Sequence, residues 1–307
     1  MKRFLMSVFF LFVRQVIMAQ NCPLAYAPSA SNIQLNDSLS IAYTEKGRGK
    51  TTLLFIHGLG GNSSHWSQNL EELATNYRCI AVDLPGYGLS TQRAYSAPTL
   101  TFYASTLLAF MEKKQLKNVV LVGHSMGGQA AIITALKRSP IIKKLILVAP
   151  AGLETFSEAE TKMLRQFATP AFYQSQTEPA IRAAFASNFT SMPTAAEALI
   201  QDRLALRSCE GFQSYCNVVS QGVNGMLSEP VQAQLVQLSI PTLLIFGEDD
   251  KLIPNRILHK ELTTEKVAEI GKARIPDVQL AFVPQAGHLV MFEKPSQFNK
   301  LITNFLK

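Results

Sequence analysis

The sequence predicts an α/β fold, a mostly parallel central sheet with helices on both faces and a helical cap insertion. Three observations predict it. Short β-branched apolar runs alternate with helical patterns through most of the 307 residues, the pattern of a sheet buried on both sides. One such run, Val119 to Val122, ends in Gly123-His124-Ser125-Met126-Gly127 and passes at once into an apolar helical segment. The alternation then stops between Leu147 and Pro241. Residues 154–236 hold no convincing strand and read as amphipathic helices carrying Phe167, Phe172, Phe185, Phe189 and Phe212, an insertion large enough to cover a site.

Residues 1–19 have a short basic start, an apolar run from Phe4 to Val13, and a small-residue ending at Ala19. That order is the order of a secretory signal peptide, and it implies export to the periplasm or beyond, or a membrane anchor if uncleaved. Ala27 is a second cleavage candidate. The apolar run is too short to span a bilayer, so no stable membrane span is expected. Residues 20–32 read as a flexible Pro/Ala/Ser-containing lead-in.

The first part of the core covers residues 33–153. Ile33 to Tyr43 gives two strand pieces around Asn36-Asp37, a hairpin signal. Thr51 to Ile56 is a buried-type strand running into His57-Gly58-Leu59-Gly60-Gly61, and Arg78 to Val82 leads into Asp83 through Ser90. A helix over 99–114 precedes the Ser125 strand and its helix, and Lys144 to Val148 is the next strand. The cap occupies 154–236. The second part of the core, 237–307, holds strands at Thr242 to Phe246 and Gln279 to Val283 and a closing helix over 295–306.

Composition excludes some classes of function. The formal charge is +7, but Lys2, Arg3 and Arg14 fall in the leader and their removal leaves +4. The remaining basic clusters sit at predicted helix ends and loops, with no aromatic-interleaved stripe, so nucleic acid is not an expected partner. Of four cysteines, Cys79 reads as a buried thiol. Cys209 and Cys216 could pair in an oxidising compartment or stay reduced. Their spacing with histidine does not suit a metal, so no metal and no cofactor are expected.

The chemistry centres on Ser125. The pentapeptide G-x-S-x-G between strand and helix is a nucleophile elbow, a turn so sharp that its flanking positions leave no room for side chains. A serine hydroxyl attacks poorly unless a base takes its proton and an anion orients that base. Among five histidines, His57 and His124 belong to glycine-containing turns that point them sideways. His65 reads as an entrance or packing residue, and His259 as a solvated one. His288 follows the last strand in Pro284-Gln285-Ala286-Gly287-His288, at a strand's carboxyl end, and is the expected base.

The anion should come from another strand end between serine and histidine. The strand ending at Phe246 leads into Gly247, Glu248, Asp249 and Asp250, whereas the one ending at Val148 offers no acid until Glu154. Burying three adjacent carboxylates is prohibitive, so one points inward. Asp250 is the choice and Asp249 the runner-up. Backbone amides of Met126 and, within the glycine-rich loop, Leu59 would receive the developing oxyanion. That loop lacks the features of a phosphate cradle.

These motifs together resemble the α/β-hydrolase superfamily, in particular its capped serine esterase and lipase-like group. They are His57 to Gly61, Asp83 to Ser90, Gly123 to Gly128, Gly247 to Pro254, and Gly287-His288. The resemblance covers about residues 33–307. It implies a Ser125–Asp250–His288 triad, a Leu59/Met126 oxyanion hole, no cofactor, and Asp83 and Ser90 as braces of a structural turn. Haloalkane dehalogenases and epoxide hydrolases carry aspartate where Ser125 stands. Carbon–carbon bond hydrolases often carry asparagine at the position of His124, and proline iminopeptidases tryptophan at that of Met126. The expectation is a hydrolase of carboxylic esters of apolar or aromatic small molecules acting through an acyl-enzyme. Acyl transfer, carbon–carbon bond hydrolysis and perhydrolysis are the alternatives on the same residues.

Overall fold

The computed structural model describes residues 23–92 and 99–307; the predicted leader, with its cleavage site at Ala19, lies outside them. Eight strands form one sheet: β1 (Ser31–Asn36), β2 (Leu39–Lys46), β3 (Thr52–Ile56), β4 (Arg78–Val82), β5 (Val119–His124), β6 (Ile142–Val148), β7 (Thr242–Gly247) and β8 (Val278–Val283). Their order across the sheet is β1-β2-β4-β3-β5-β6-β7-β8. Only the β1–β2 and β2–β4 pairs are antiparallel.

The core helices are α1 (Ser67–Leu73), α2 (Leu100–Lys113) and α3 (Met126–Leu136). The insertion contributes α4 (Glu158–Phe167), α5 (Pro170–Ser175), α6 (Glu178–Ala186), α7 (Ala196–Ala205) and α8 (Phe212–Ser228), and contains no strand among its residues. The chain closes with α9 (Thr264–Arg274), α10 (Val290–Glu293) and α11 (Pro295–Leu306).

The continuous apolar strands are buried on both faces because helices cover both. Alternate residues of β3 separate accordingly. Leu54 and Ile56 join Tyr103, Leu107 and Ile132 on one face. Leu53 and Phe55 join Trp66, Phe298 and Ile302 on the other. The parallel register aligns Ile56 with Gly123, His124 with Val148, and Gly247 with Val283. The loops after β3, β5, β6, β7 and β8 therefore leave the sheet at one edge, the place where such folds put their chemistry.

Residues 20–22 of the lead-in lie outside the described residues, and part of the rest is anchored. Leu24 is buried, and the Ala25 amide donates to Asp202 Oδ1 of α7 at 2.7 Å. The Tyr26 hydroxyl donates to Asp83 Oδ2 at 2.6 Å. An apolar anchor and two charge-assisted hydrogen bonds hold this segment against both core and cap. The cysteines also resolve: Cys79 and Cys216 are buried free thiols, and Cys209 is disulfide-bonded. Cys209 and Cys216 therefore do not pair with each other.

Candidate active site

At the end of β5 the chain turns so sharply that Ser125 takes φ 52°, ψ −120°, in the region that non-glycine residues rarely adopt. A Cβ on Gly123 would lie 2.5 Å from the Gly127 carbonyl oxygen, and one on Gly127 would lie 2.3 Å from that of His57. Both glycines are thus steric requirements of the turn. The strain is held by what surrounds it. The Ser125 amide donates to the Val148 carbonyl at 3.0 Å, and the Ser125 carbonyl accepts from Gly128 at 2.9 Å.

Ser125 and His288 face one cavity of about 560 Å³, which Leu59 also lines. His288 Nδ1 stands 2.8 Å from Asp250 Oδ2. Asp250 is fully buried while Glu248 and Asp249 are exposed, so one of the three acids points inward. Its second oxygen, Oδ1, accepts the amides of Leu252 at 2.8 Å and Ile253 at 3.0 Å. Those amides compensate the burial of its charge and fix the carboxylate plane toward His288. Asp249 turns outward, where its Oδ2 accepts from the Thr190 hydroxyl.

Leu59 sits in a tight turn closed by the Gly61 amide donating to the Gly58 carbonyl at 3.2 Å, and Met126 opens α3. Among the described residues neither amide donates to a protein acceptor. No group of three or more His, Cys, Asp or Glu side chains suited to a metal occurs among the described residues.

The remaining histidines divide by partner. His57 Nε2 accepts the Leu84 amide at 3.0 Å and its Nδ1 donates to the Gly58 carbonyl at 2.7 Å. Burial brings its pKa down to about 4, which keeps it a neutral strut. His65 is buried, and burial followed by the nearby His57 brings it to about 3. His124 does more than the sequence suggests. Its Nε2 donates to the His288 carbonyl at 3.1 Å, and its ring centroid lies 4.6 Å from that of His288. Burial, then repulsion from His288, holds it well below its ordinary value.

His259 corrects its expectation of solvation. Its Nδ1 meets Glu154 Oε1 at 2.5 Å, its Nε2 meets Glu160 Oε1 at 3.2 Å, and its ring stacks on Phe156. Glu154 and Phe156 themselves line the cavity. Asp83 and Ser90 brace a turn as expected. Asp83 accepts from the Ser63 and Leu89 amides and from Tyr26, while the Ser90 hydroxyl donates to the Asp83 carbonyl at 2.6 Å.

The cap supplies Leu164, Tyr173, Val223, Met226 and Leu227 to the cavity, and none of its five noted phenylalanines. Phe167 and Phe172 are instead exposed, and Phe189 is packed in the core. A side chamber of about 180 Å³ shares Leu59, His65, Tyr173 and Leu289 with the cavity and is lined by Arg203 and Tyr215. Neither residue stood out in the sequence, because neither belongs to a motif and each matters only through contacts made across the fold.

A model of the α/β hydrolase fold matches residues 51–295. The chain belongs to the α/β-hydrolase fold family. Its relatives include a dihydrolipoyllysine-residue acetyltransferase component of the acetoin cleaving system of Cupriavidus necator, 28% identical over 272 residues. That match covers 88% of this chain and 67% of the relative. A 2-hydroxy-6-oxononadienedioate/2-hydroxy-6-oxononatrienedioate hydrolase of Paraburkholderia phymatum is 24% identical, with 87% of this chain and 91% of the relative covered. Among solved structures, a thermophilic esterase from Thermogutta terrifontis superposes with a TM-score of 0.72 at 24% identity, covering 90% of this chain and 97% of that one. In this α/β-hydrolase the mostly parallel sheet and helical cap of the family are both present.

Proposed function

We propose that this protein is a serine hydrolase that cleaves carboxylic esters through an acyl-enzyme on Ser125. The observation that carries the reading is the buried Asp250–His288 hydrogen bond, facing the same cavity as a serine on a strained elbow. His288 takes the Ser125 proton as the hydroxyl attacks the ester carbonyl, and Asp250 holds the imidazole and offsets its charge. The Leu59 and Met126 amides receive the oxyanion. The alcohol leaves with the proton from His288, and water then hydrolyses the acyl-enzyme with His288 again the base. Leu164, Val223, Met226 and Leu252 give the cavity an apolar wall suited to a neutral acyl or aryl group.

A second reading, hydrolysis of a carbon–carbon bond in an oxo acid, draws more support from the curated relatives than the ester reading does. Arg203 favours it. Its side chain is almost wholly buried, its Nη1 has no hydrogen-bond partner, and its Nη2 reaches only Gln176 Oε1 at 3.3 Å. No carboxylate among the described residues pairs with it. A buried guanidinium facing a chamber beside the nucleophile suits a substrate carboxylate, and the names of such relatives specify dicarboxylates.

Initial rates on p-nitrophenyl acetate, butyrate and octanoate, set beside those on a 2-hydroxy-6-oxo dienoate, decide between the readings. The ester reading expects ester turnover that disappears in Ser125→Ala, with the KM for the esters changed less than threefold in Arg203→Gln. Turnover of the dienoate alone, lowered about a hundredfold in Arg203→Gln, would replace it with the second.

The same reading extends to location. The disulfide at Cys209 suits an oxidising compartment, in keeping with export. Cleavage after Ala27 would discard Leu24 and Tyr26, both docked on the body, so Ala19 is the better processing site.

A further inference from the structure

The oxyanion loop is held from the cap side by one helix. Tyr215 and Gly222 lie seven residues apart on α8, two turns along the same face. The Tyr215 hydroxyl, almost fully buried, donates to the Gly60 carbonyl at 3.0 Å. The Gly58 carbonyl is already taken by the Gly61 amide and by His57 Nδ1. With both carbonyls tied, the Leu59 amide between them has its direction fixed.

Two turns further on, Gly222 has no room for a side chain. A Cβ there would lie 2.7 Å from Leu59 Cδ1, 2.9 Å from the Tyr87 hydroxyl and 3.1 Å from Met126 Sδ. One helix face therefore touches the side chains of both residues whose amides would receive the oxyanion. The Tyr215 ring is itself immobilised. The Arg203 guanidinium lies 5.0 Å from its centroid, Phe212 stacks on it at 6.4 Å, and Tyr87 meets it edge-on at 6.2 Å.

We infer that α8 clamps the oxyanion loop, and that Tyr215 is a positioning residue that aims the Leu59 amide. The inference rests on the serine-hydrolase reading for its catalytic consequence, while its geometric content stands apart from it. A cap helix that contacts only substrate would affect binding. One that holds the loop affects the transition state, where the oxyanion charge develops. The cap would then do more than cover the cavity, because its seating would set whether the donors are aligned.

Tyr215→Phe tests this with the ring and its packing retained. Removing an oxyanion donor outright lowers turnover by roughly 10²–10³-fold; a donor left in place but poorly aimed should lower kcat by about tenfold. KM should stay within twofold, with phosphonylation of Ser125 by a fluorophosphonate slowed in step. Hydrogen exchange at the Gly61 amide of the unliganded protein should quicken severalfold, with the melting temperature shifted by only a few degrees. Gly222→Ala, which pushes on Leu59 from the other turn, should give the same kcat-weighted loss.

Unchanged exchange at Gly61 in Tyr215→Phe, or a loss carried by KM alone, would overturn the clamp. The hydrolase reading fails by a different result, wild-type protein that is not phosphonylated at Ser125. In that event the exchange measurement still decides whether α8 holds the loop.

Discussion

At the scale of single residues, the one carboxylate buried at the site has its burial compensated atom by atom. Asp250 is fully enclosed, yet each of its oxygens has N–H donors, two amides on one and His288 on the other. Asp250→Asn should lower kcat by about 10⁴-fold, because an amide cannot hold the imidazole in the tautomer that accepts the serine proton; stopped-flow ester assays read this directly. His259 belongs to a different system. Burial lowers its pKa, but hydrogen bonds and attraction from Glu154 and Glu160 outweigh that and raise it. A raised folded pKa means the stabilisation is complete below the ordinary histidine range and is lost as pH rises through the folded value. Thermal melts should therefore show His259→Gln less stable than wild type at pH 5.5, with the gap narrowing by pH 9.5. Equal melting temperatures at pH 5.5 would show that the clasp contributes nothing.

At the scale of elements, the elbow and the braces around it decide where chemistry can occur. Gly127→Ala forces a methyl group to within 2.3 Å of the His57 carbonyl oxygen and 2.5 Å of that of Ile56. Overpacking of this kind costs about 1–3 kcal/mol, and backbone atoms cannot move aside as a side chain would. Urea melts should show that loss, with activity lost beyond it as Ser125 shifts. The elements were legible in the sequence wherever the pattern was local. Strands β3 to β8 follow from continuous apolar runs, and the burial of one acid among three adjacent ones follows from their electrostatics. Contacts that join distant segments were not legible. Nothing near His259 announces Glu154, 105 residues away, and nothing near Tyr215 announces Gly60, 155 residues away. The lining of the cavity was not legible for a related reason. Helical periodicity does not say which face turns toward the cavity, and Leu164, Val223 and Met226 line it.

At the scale of the whole molecule, core and cap are joined by fasteners that link segments far apart in the chain. The segment at Leu24–Tyr26 reaches Asp202 on the cap and Asp83 on the core. The Glu154–His259 pair joins the start of the cap to the loop after β7, and α8 meets the oxyanion loop. Tyr26→Phe removes a hydrogen bond to a buried carboxylate and should lower stability by about 1.5–3 kcal/mol, read as a shift in the urea midpoint with the slope unchanged. The central claim is that Ser125 is the nucleophile and His288 its base. Site-resolved mass spectrometry after fluorophosphonate treatment tests it most directly. The account predicts one adduct, on Ser125, absent in Ser125→Ala and formed far more slowly in His288→Ala. Labelling that persists in Ser125→Ala, or that proceeds at the wild-type rate in His288→Ala, would contradict it.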